Sequence, residues 1–138
     1  MKGKGFFDIL CSNLNYRLFA GIPVEEHKDL YDTMDTAIMH YIPTVNEVVA
    51  LGVISGGILS GYKGAVLMGA DNFNLLLPQF SNFNTKFKIP LMFIVNGDYN
   101  PLKLKQFKFE DDFNILYDID NYINKYSKSS ILIYEGSI

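Results

Sequence analysis

The stretch Thr44 to Gly69, TVNEVVALGVISGGILSGYKGAVLMG, contains the two patterns that decide the fold. Thr44-Val45-Asn46-Glu47 has the Thr-x-x-Glu form of a capping box, which predicts a helix that runs to about Tyr62. The following GAVLMG is a continuous apolar run with the length of a buried strand. A helix that leads directly into a buried strand predicts an α/β domain with a parallel sheet.

The predicted helix is unusually rich in small residues. They are Ala50, Gly52, Ser55, Gly56, Gly57, Ser60 and Gly61. A glycine inside a helix costs roughly 0.5 to 1 kcal/mol relative to alanine. Close packing against another backbone would offset this cost, and that backbone can belong either to the same fold or to a partner subunit.

Outside this stretch, apolar runs and helical patterns alternate about every twenty residues, which is typical of repeated βα units. Strands are predicted at residues 16–20, 37–42, 64–69, 90–95, 113–117 and 130–134. Helices are predicted at residues 5–14, 25–34, 44–62, 73–87 and 118–128, and the polar stretch 96–112 is interpreted as a solvated loop. The predicted fold class is α/β, a three-layer sandwich with a six-stranded parallel sheet flanked by helices, in a single domain at residues 1–138.

Composition argues against several classes of function. A net charge of −3, from 12 basic and 15 acidic residues, provides no broad positive field, so nucleic acid is not an expected partner. No stretch has the length of a membrane span, and the run 6–11 is too short for a signal sequence, so neither a membrane nor export is expected. The single cysteine, Cys11, forms no internal disulfide and fits a cytoplasmic location. His27 and His40 fall in different predicted elements, so no metal site is expected.

Sheets of this kind place their sites at the carboxyl ends of the strands, here the segments 21–24, 44–47, 69–74 and 96–100. These segments together resemble the pyrimidine-binding (Pyr) domain of thiamine diphosphate enzymes. The resemblance is to the sulfopyruvate decarboxylase alpha subunit and the N-terminal domain of phosphonopyruvate decarboxylase. It covers nearly the whole chain and rests on FAGIP at 19–23, on the Asn46-Glu47 pair that opens the glycine-rich helix, on the GAVLM strand, and on KIPLMFIVNGD at 88–98.

The resemblance implies a catalytic role for Glu47. In such enzymes a carboxylic acid hydrogen-bonds N1′ of the aminopyrimidine and favours the imino tautomer, whose 4′-nitrogen removes the proton from thiazolium C2. The implied cofactor is thiamine diphosphate, with Mg²⁺ held by a partner chain. The implied cofactor-binding residues are Gly21, Ile22, Pro23, Asn46, Glu47, Asp71, Asn72 and Asn74.

The implied function is an alpha-subunit-like half of a decarboxylase for a small 2-oxo acid. Its expected partners are a second copy of the chain, a diphosphate-binding beta-type subunit, or both. The alternative is a degenerate stand-alone Pyr-like domain that acts as a non-catalytic binding or regulatory protein. A third reading, an unrelated flavodoxin-like domain, ranks last because no phosphate-cradling glycine loop follows the first strand.

Departures from the family pattern support the alternative. The family usually has a Gln-Asn-Ser-Gly-x-Gly-Asn segment after the third strand, whereas this chain has GADNFN at 69–74. An Arg-Gly pair usually follows the fourth strand, whereas this chain has Asn96-Gly97-Asp98-Tyr99. Arg17 is the only arginine, so bidentate recognition of a sulfonate or phosphonate by this chain is not expected.

Each candidate residue also has a purely structural interpretation. Glu47 can complete the capping box with Thr44, which is worth about 1 kcal/mol. Asp71 and Asp98 are common residue types in turns. A single histidine such as His40 is more often a structural or surface residue than a cleft residue. Four phenylalanines at helical spacing predict a core stripe: Phe73, Phe80, Phe83 and Phe87.

Overall fold

An all-parallel sheet of six strands forms the centre of the domain, with the strand order β2-β1-β3-β4-β6-β5. The computed structural model describes residues 2–21, 39–97, 100, 102–110 and 112–134, with side chains described for all of these except 2–4, 71 and 72. The strands are β1 (Tyr16–Gly21), β2 (His40–Pro43), β3 (Lys63–Gly69), β4 (Met92–Asn96), β5 (Lys105–Lys108) and β6 (Ser130–Tyr134).

Helices lie between the strands. They are α1 (Lys2–Asp8), which continues as a π-helical turn (Ile9–Asn13), α2 (Glu47–Leu59), α3 (Leu77–Gln79) and α4 (Asn114–Tyr126). A 3₁₀ helix (Ala70–Leu76) precedes α3, and a π-helical segment (Phe80–Thr85) follows it. Within the described ranges, none of these helices combines the length and apolar composition needed to cross a bilayer.

Helices cover both faces of the sheet, and successive side chains along a strand point alternately into two hydrophobic cores. Along β3, Ala65 and Leu67 enter the core beneath α1 and α4, while Val66 and Met68 enter the core beneath α2. A strand that is buried on both faces needs apolar residues at every position, which explains the continuous apolar runs of β3, β4 and β6. The predicted three-layer α/β fold with a six-stranded parallel sheet is confirmed.

One strand was predicted in the wrong place. Residues 113–117 belong almost entirely to α4, which begins at Asn114. The missing strand is β5, whose sequence KQFK lies within the stretch that was interpreted as a solvated loop. Because β5 is an edge strand that pairs with β6 alone and is largely exposed, it carries no apolar run that could mark it.

Other sequence predictions need smaller corrections. The predicted helix 73–87 is instead the succession of 3₁₀, α and π-helical turns that begins at Ala70. Phe73 and Phe80 are buried as expected, but Phe83 is 36% and Phe87 59% exposed, so the core stripe was wrong for these two. The predicted helix 25–34 and the first two residues of the predicted strand 37–42 lie outside the described residues.

The small residues of α2 serve packing within the fold in part. Ala50 and Ser55 are buried, and a Cβ added at Gly57 would collide with the side chain of Leu18 in β1. Gly56, in contrast, has nothing within 4 Å of such a Cβ. Close approach of α2 to the sheet therefore accounts for Gly57, and packing against a partner stays a prediction for the exposed face.

A buried polar network joins α4 to two strands at the amino edge of the sheet. Asp120 of α4 accepts a hydrogen bond from the hydroxyl of Tyr16 at 2.9 Å and forms an ion pair with Lys63 at 2.8 Å. Asn124 Nδ2 donates to the same carboxylate at 3.2 Å. Desolvation by burial, then the charge of Asp120 and its hydrogen bond, raise the pKa of Tyr16 well above its ordinary value.

We expect Tyr16→Phe to lower the free energy of unfolding by about 1 to 3 kcal/mol near neutral pH, because a hydrogen bond to a charged group is lost. The raised pKa in the folded state means that the tyrosine of the unfolded chain loses its proton first. Its contribution is complete below about pH 10 and is lost as the pH rises further. Urea unfolding should therefore show a shallower alkaline loss of stability in the variant, and equal pH dependence in both proteins would contradict this assignment.

Candidate functional site

The segments that were predicted from the sequence to form a site lie at the carboxyl edge of the sheet. Strand β1 lies between β2 and β3, so the chain moves to one side of β1 and then crosses to the other. Such a reversal is a topological switch point, where open α/β sheets bind their ligands. Gly21 ends β1 at this edge, Pro43 ends β2, and Gly69 ends β3.

Glu47 is the first residue of α2, and its side chain is 5% exposed. It lies four residues after the end of β2, at the carboxyl edge. The positive end of the helix dipole favours a carboxylate in this first turn. The structure therefore places the acidic group of Glu47, covered by its own chain, at the edge where ligands of such folds bind.

The predicted capping box was wrong. Asn46 caps α2, with its side-chain oxygen accepting a hydrogen bond from the Val49 N–H at 2.9 Å. Thr44 lies outside the helix and donates its hydroxyl to the Asn46 carbonyl at 3.0 Å. Glu47 is thus the first helical residue, whereas a capping box places its acid at the third. The structural explanation of Glu47 as half of a capping box no longer holds.

Gly21 ties β1 to the turn that leads into α2. Its carbonyl accepts hydrogen bonds from the Thr44 N–H at 2.9 Å and from the Tyr41 hydroxyl at 3.1 Å. A Cβ at position 21 would collide with the carbonyl oxygen of Leu67 in β3. Gly21 therefore positions the backbone that carries Glu47, and no side chain fits in its place.

A second part of the edge joins the ends of β3 and β4. Gly97 has a φ of +117°, and a Cβ there would lie 2.9 Å from the Cβ of Ala70. Its N–H donates to the Tyr134 carbonyl at 3.0 Å. This role of Gly97 was not predicted from the sequence, although a glycine directly after an apolar strand signals a turn that other residues adopt poorly.

The remaining predicted cofactor-binding residues lie either in the 3₁₀ helix Ala70–Leu76 or outside the described residues. Asp71 and Asn72 lie in the 3₁₀ helix Ala70–Leu76, which packs against α2, but their side chains are not described. Asn74 lies on the exposed side of that helix. Ile22 and Pro23 lie outside the described residues. The structure thus brings Gly21, Asn46 and Glu47 together, and it places the 70–76 helix beside them.

Two other expectations concern histidine and metals. His40 is exposed at the first position of β2, which is the amino edge, so it does not line the carboxyl edge. In the part of the chain that the structure describes, no group of three His, Cys, Asp or Glu side chains could hold a metal ion. Two clefts formed by described residues open at the amino edge, and neither is lined by Gly21, Asn46 or Glu47.

Comparison with known proteins identifies the fold. No protein-family model and no curated protein matches the chain. Among solved structures, a 2-oxoglutarate:ferredoxin oxidoreductase from Magnetococcus marinus, with 2-oxoglutarate, coenzyme A and succinyl-CoA bound, is similar with a TM-score of 0.74 at 13% sequence identity. The match covers 98% of this chain and 29% of that one, so this chain spans less than a third of its length. The chain has the parallel α/β fold of a Pyr-type domain.

We expect Gly21→Ala to lower the free energy of unfolding by about 1 to 3 kcal/mol, because the added methyl group meets backbone rather than a flexible side chain. Gly56→Ala is the matched control. It adds the same methyl group to an exposed helical position with open space, and it should raise stability by about 0.5 to 1 kcal/mol. Urea unfolding measures both, and a neutral Gly21→Ala would contradict the close approach of β1 to β3.

Removing the helix cap should also destabilise the chain. We expect Asn46→Ala to cost about 0.5 to 2 kcal/mol, because the Val49 N–H loses its acceptor. Asn46→Asp keeps an acceptor at this position and should leave the free energy of unfolding nearly unchanged. If both variants lost the same stability in urea unfolding, Asn46 would stabilise the chain by something other than capping.

Proposed function

We propose that this chain is the pyrimidine-binding half of a thiamine diphosphate-dependent enzyme that acts on a small 2-oxo acid. A second chain or domain would hold the diphosphate and Mg²⁺. The observation that carries the proposal is Glu47, a buried carboxyl group in the first turn of α2, at the carboxyl edge of a Pyr-type fold. The likeness to a solved enzyme with bound 2-oxoglutarate supports the class of substrate.

The chemistry of Glu47 fits the pyrimidine half of the cofactor. A carboxyl group can share a proton with N1′ of the aminopyrimidine, and cover from solvent strengthens such a hydrogen bond. The Asn46 cap and the Gly21 carbonyl hold the backbone on either side of Glu47, so the backbone that carries this carboxyl group is positioned before a ligand arrives. When bound, thiamine diphosphate supplies a thiazolium ring that accepts the electrons released as a 2-oxo acid loses carbon dioxide.

The positions of three cations support a chain that supplies only the pyrimidine-binding half of the cofactor site. A diphosphate needs cations, but Arg17 donates to the Cys11 carbonyl at 2.8 Å, near the amino edge. Lys63 also lies at that edge, where it pairs with Asp120. Lys108, at the carboxyl end of β5, lies 3.6 Å from Glu110. None of these three cations is placed beside Glu47, which supports a diphosphate site supplied by another chain.

Exposed apolar side chains next to Glu47 support a subunit interface there. Val45 is 85% and Val49 43% exposed, and they flank Glu47 in sequence. Burial of such side chains favours association by about 25 cal/mol per Å² of apolar surface. A homodimer, a diphosphate-binding beta-type subunit, or both would cover this surface in the proposed cytoplasmic enzyme.

The reaction proposed is decarboxylation, as in sulfopyruvate and phosphonopyruvate decarboxylases. A second candidate function is a stand-alone, non-catalytic binding or regulatory protein with the same fold. The observation that favours it is the low exposure of Glu47: at 5%, the carboxyl group is nearly covered within its own chain, which leaves a ligand little access. The two functions differ in whether thiamine diphosphate binds.

The test is calorimetric titration with thiamine diphosphate and Mg²⁺. The chain is titrated alone and after co-expression with a neighbouring gene product that carries a Gly-Asp-Gly motif followed by asparagine. We expect saturable binding in the complex, and we expect Glu47→Gln to weaken it at least about tenfold, equivalent to about 1.4 kcal/mol. Glu110→Gln, which makes the same change at an exposed carboxylate that the resemblance does not assign to the cofactor, is the matched control and should bind like the unmodified chain.

Carbon dioxide release from 2-oxo acids is then measured on the loaded complex. Activity that disappears in Glu47→Gln while the complex stays assembled supports the enzyme. A folded complex that binds no cofactor, or a Glu47→Gln variant with unchanged affinity and activity, would overturn the proposal and leave the non-catalytic function.

A further inference from the structure

A cleft of about 660 Å³ opens at the amino edge of the sheet, opposite the edge that carries Glu47. The segments that precede β4, β5 and β6 form its walls. Its volume is that of a site for a small organic ligand, for which about 300 to 1,000 Å³ is typical. The side chains that give it chemical character are Lys88, Lys103, Lys105, Lys128, Tyr122 and Tyr126.

The cleft concentrates positive charge in a chain whose net charge is −3. Four of the 12 basic residues line it, and no aspartate or glutamate lies among its described lining residues. Helix α4 ends at this cleft, and its last carbonyl groups add partial negative charge. Lys128 lies directly after this end and offsets it, so the cleft favours an anion.

Hydrogen-bonded turns set the positions of two of these lysines. Lys88 and Lys103 have φ values of 53° and 55°, a conformation that residues other than glycine rarely adopt. The turn at Lys88 is closed by the Ile89 N–H, which donates to the Asn84 carbonyl at 2.9 Å. Asn100 holds the other turn, because its side chain bonds both the N–H of Leu104 at 3.1 Å and its carbonyl at 2.7 Å. Lys88 and Lys103 therefore extend from hydrogen-bonded turns.

Asn84 adds a polar group to the lining. It is 2% exposed, and its Nδ2 donates to Ser55 Oγ at 2.8 Å. Its Oδ1 is buried without a hydrogen-bond partner, although buried acceptors are paired in most proteins. A ligand that donates a hydroxyl or N–H group can satisfy this oxygen.

One wall of the cleft is aromatic. The rings of Tyr122 and Tyr126 lie with centroids 5.0 Å apart, and Tyr126 is 51% exposed. An exposed aromatic ring beside a group of lysines offers a surface on which a planar ring can stack. An inorganic anion would use the lysines alone and leave this wall and Asn84 without contacts.

We propose that this cleft binds an organic polyphosphate that carries a planar ring, of the chemical class of a nucleoside triphosphate. The lysines contact the phosphate groups, the tyrosines stack on the ring, and Asn84 accepts a hydrogen bond from a ring amino group or a sugar hydroxyl. The site is separate from the proposed pyrimidine site, because the two lie at opposite edges of the sheet.

The test is titration of the full chain with ATP at low salt and without Mg²⁺, followed by calorimetry and by amide chemical shifts. We expect saturable binding that Lys103→Gln/Lys105→Gln weakens at least tenfold. Lys86→Gln/Lys108→Gln is the matched control: it removes the same charge from lysines that do not line the cleft, and it should change the affinity less than twofold. Glu47→Gln should leave ATP binding unchanged.

Inorganic triphosphate, with a similar charge and no ring, is the second probe. Binding at least threefold weaker than that of ATP supports the aromatic wall. Equal weakening of ATP binding by the two double variants would overturn the site, because it indicates diffuse charge attraction. Equal affinity for both probes would overturn the proposed ligand class, and loss of ATP binding in Glu47→Gln would place the nucleotide at the other edge.

Discussion

The close approach of β1 to β3 at Gly21 is the constraint on which the candidate site depends. The carbonyl of Leu67 occupies the space that a side chain at position 21 would need, while the carbonyl of Gly21 accepts hydrogen bonds from Thr44 and Tyr41. One glycine thereby joins three neighbouring strands and the turn that begins α2. The position of Glu47 at the carboxyl edge follows from this junction, since only Val45 and Asn46 separate it from Thr44.

The two edges of the sheet have different chemical character. The carboxyl edge carries an acid in the first turn of α2, flanked by exposed valines. The amino edge carries the Asp120 network and a cleft lined by four lysines. A parallel sheet permits this division, because all strands begin at one edge and end at the other. A chain of this size can therefore hold two separate sites with opposite charge.

Much of the fold could be predicted from the sequence, because strands buried on both faces need continuous apolar residues, as in β3. The polar edge strand β5 could not be predicted, because its pairing with β6 is fixed only by the tertiary structure. The Thr-x-x-Glu pattern predicted that a helix starts near Glu47. The residue that caps α2 depends on the backbone angles of Asn46, which this spacing does not reveal. The lysine cleft was missed because Lys88 and Lys128 are 40 residues apart and meet only through the order of the strands.

In the proposed enzyme, a pyrimidine ring lies against Glu47 at an interface between two chains. The most direct measurement is a crystal structure of the chain with its diphosphate-binding partner, thiamine diphosphate and Mg²⁺. We expect a Glu47 carboxyl oxygen within about 3 Å of N1′, a hydrogen-bond distance. A pyrimidine bound elsewhere, with Glu47 still covered by its own chain, would contradict it.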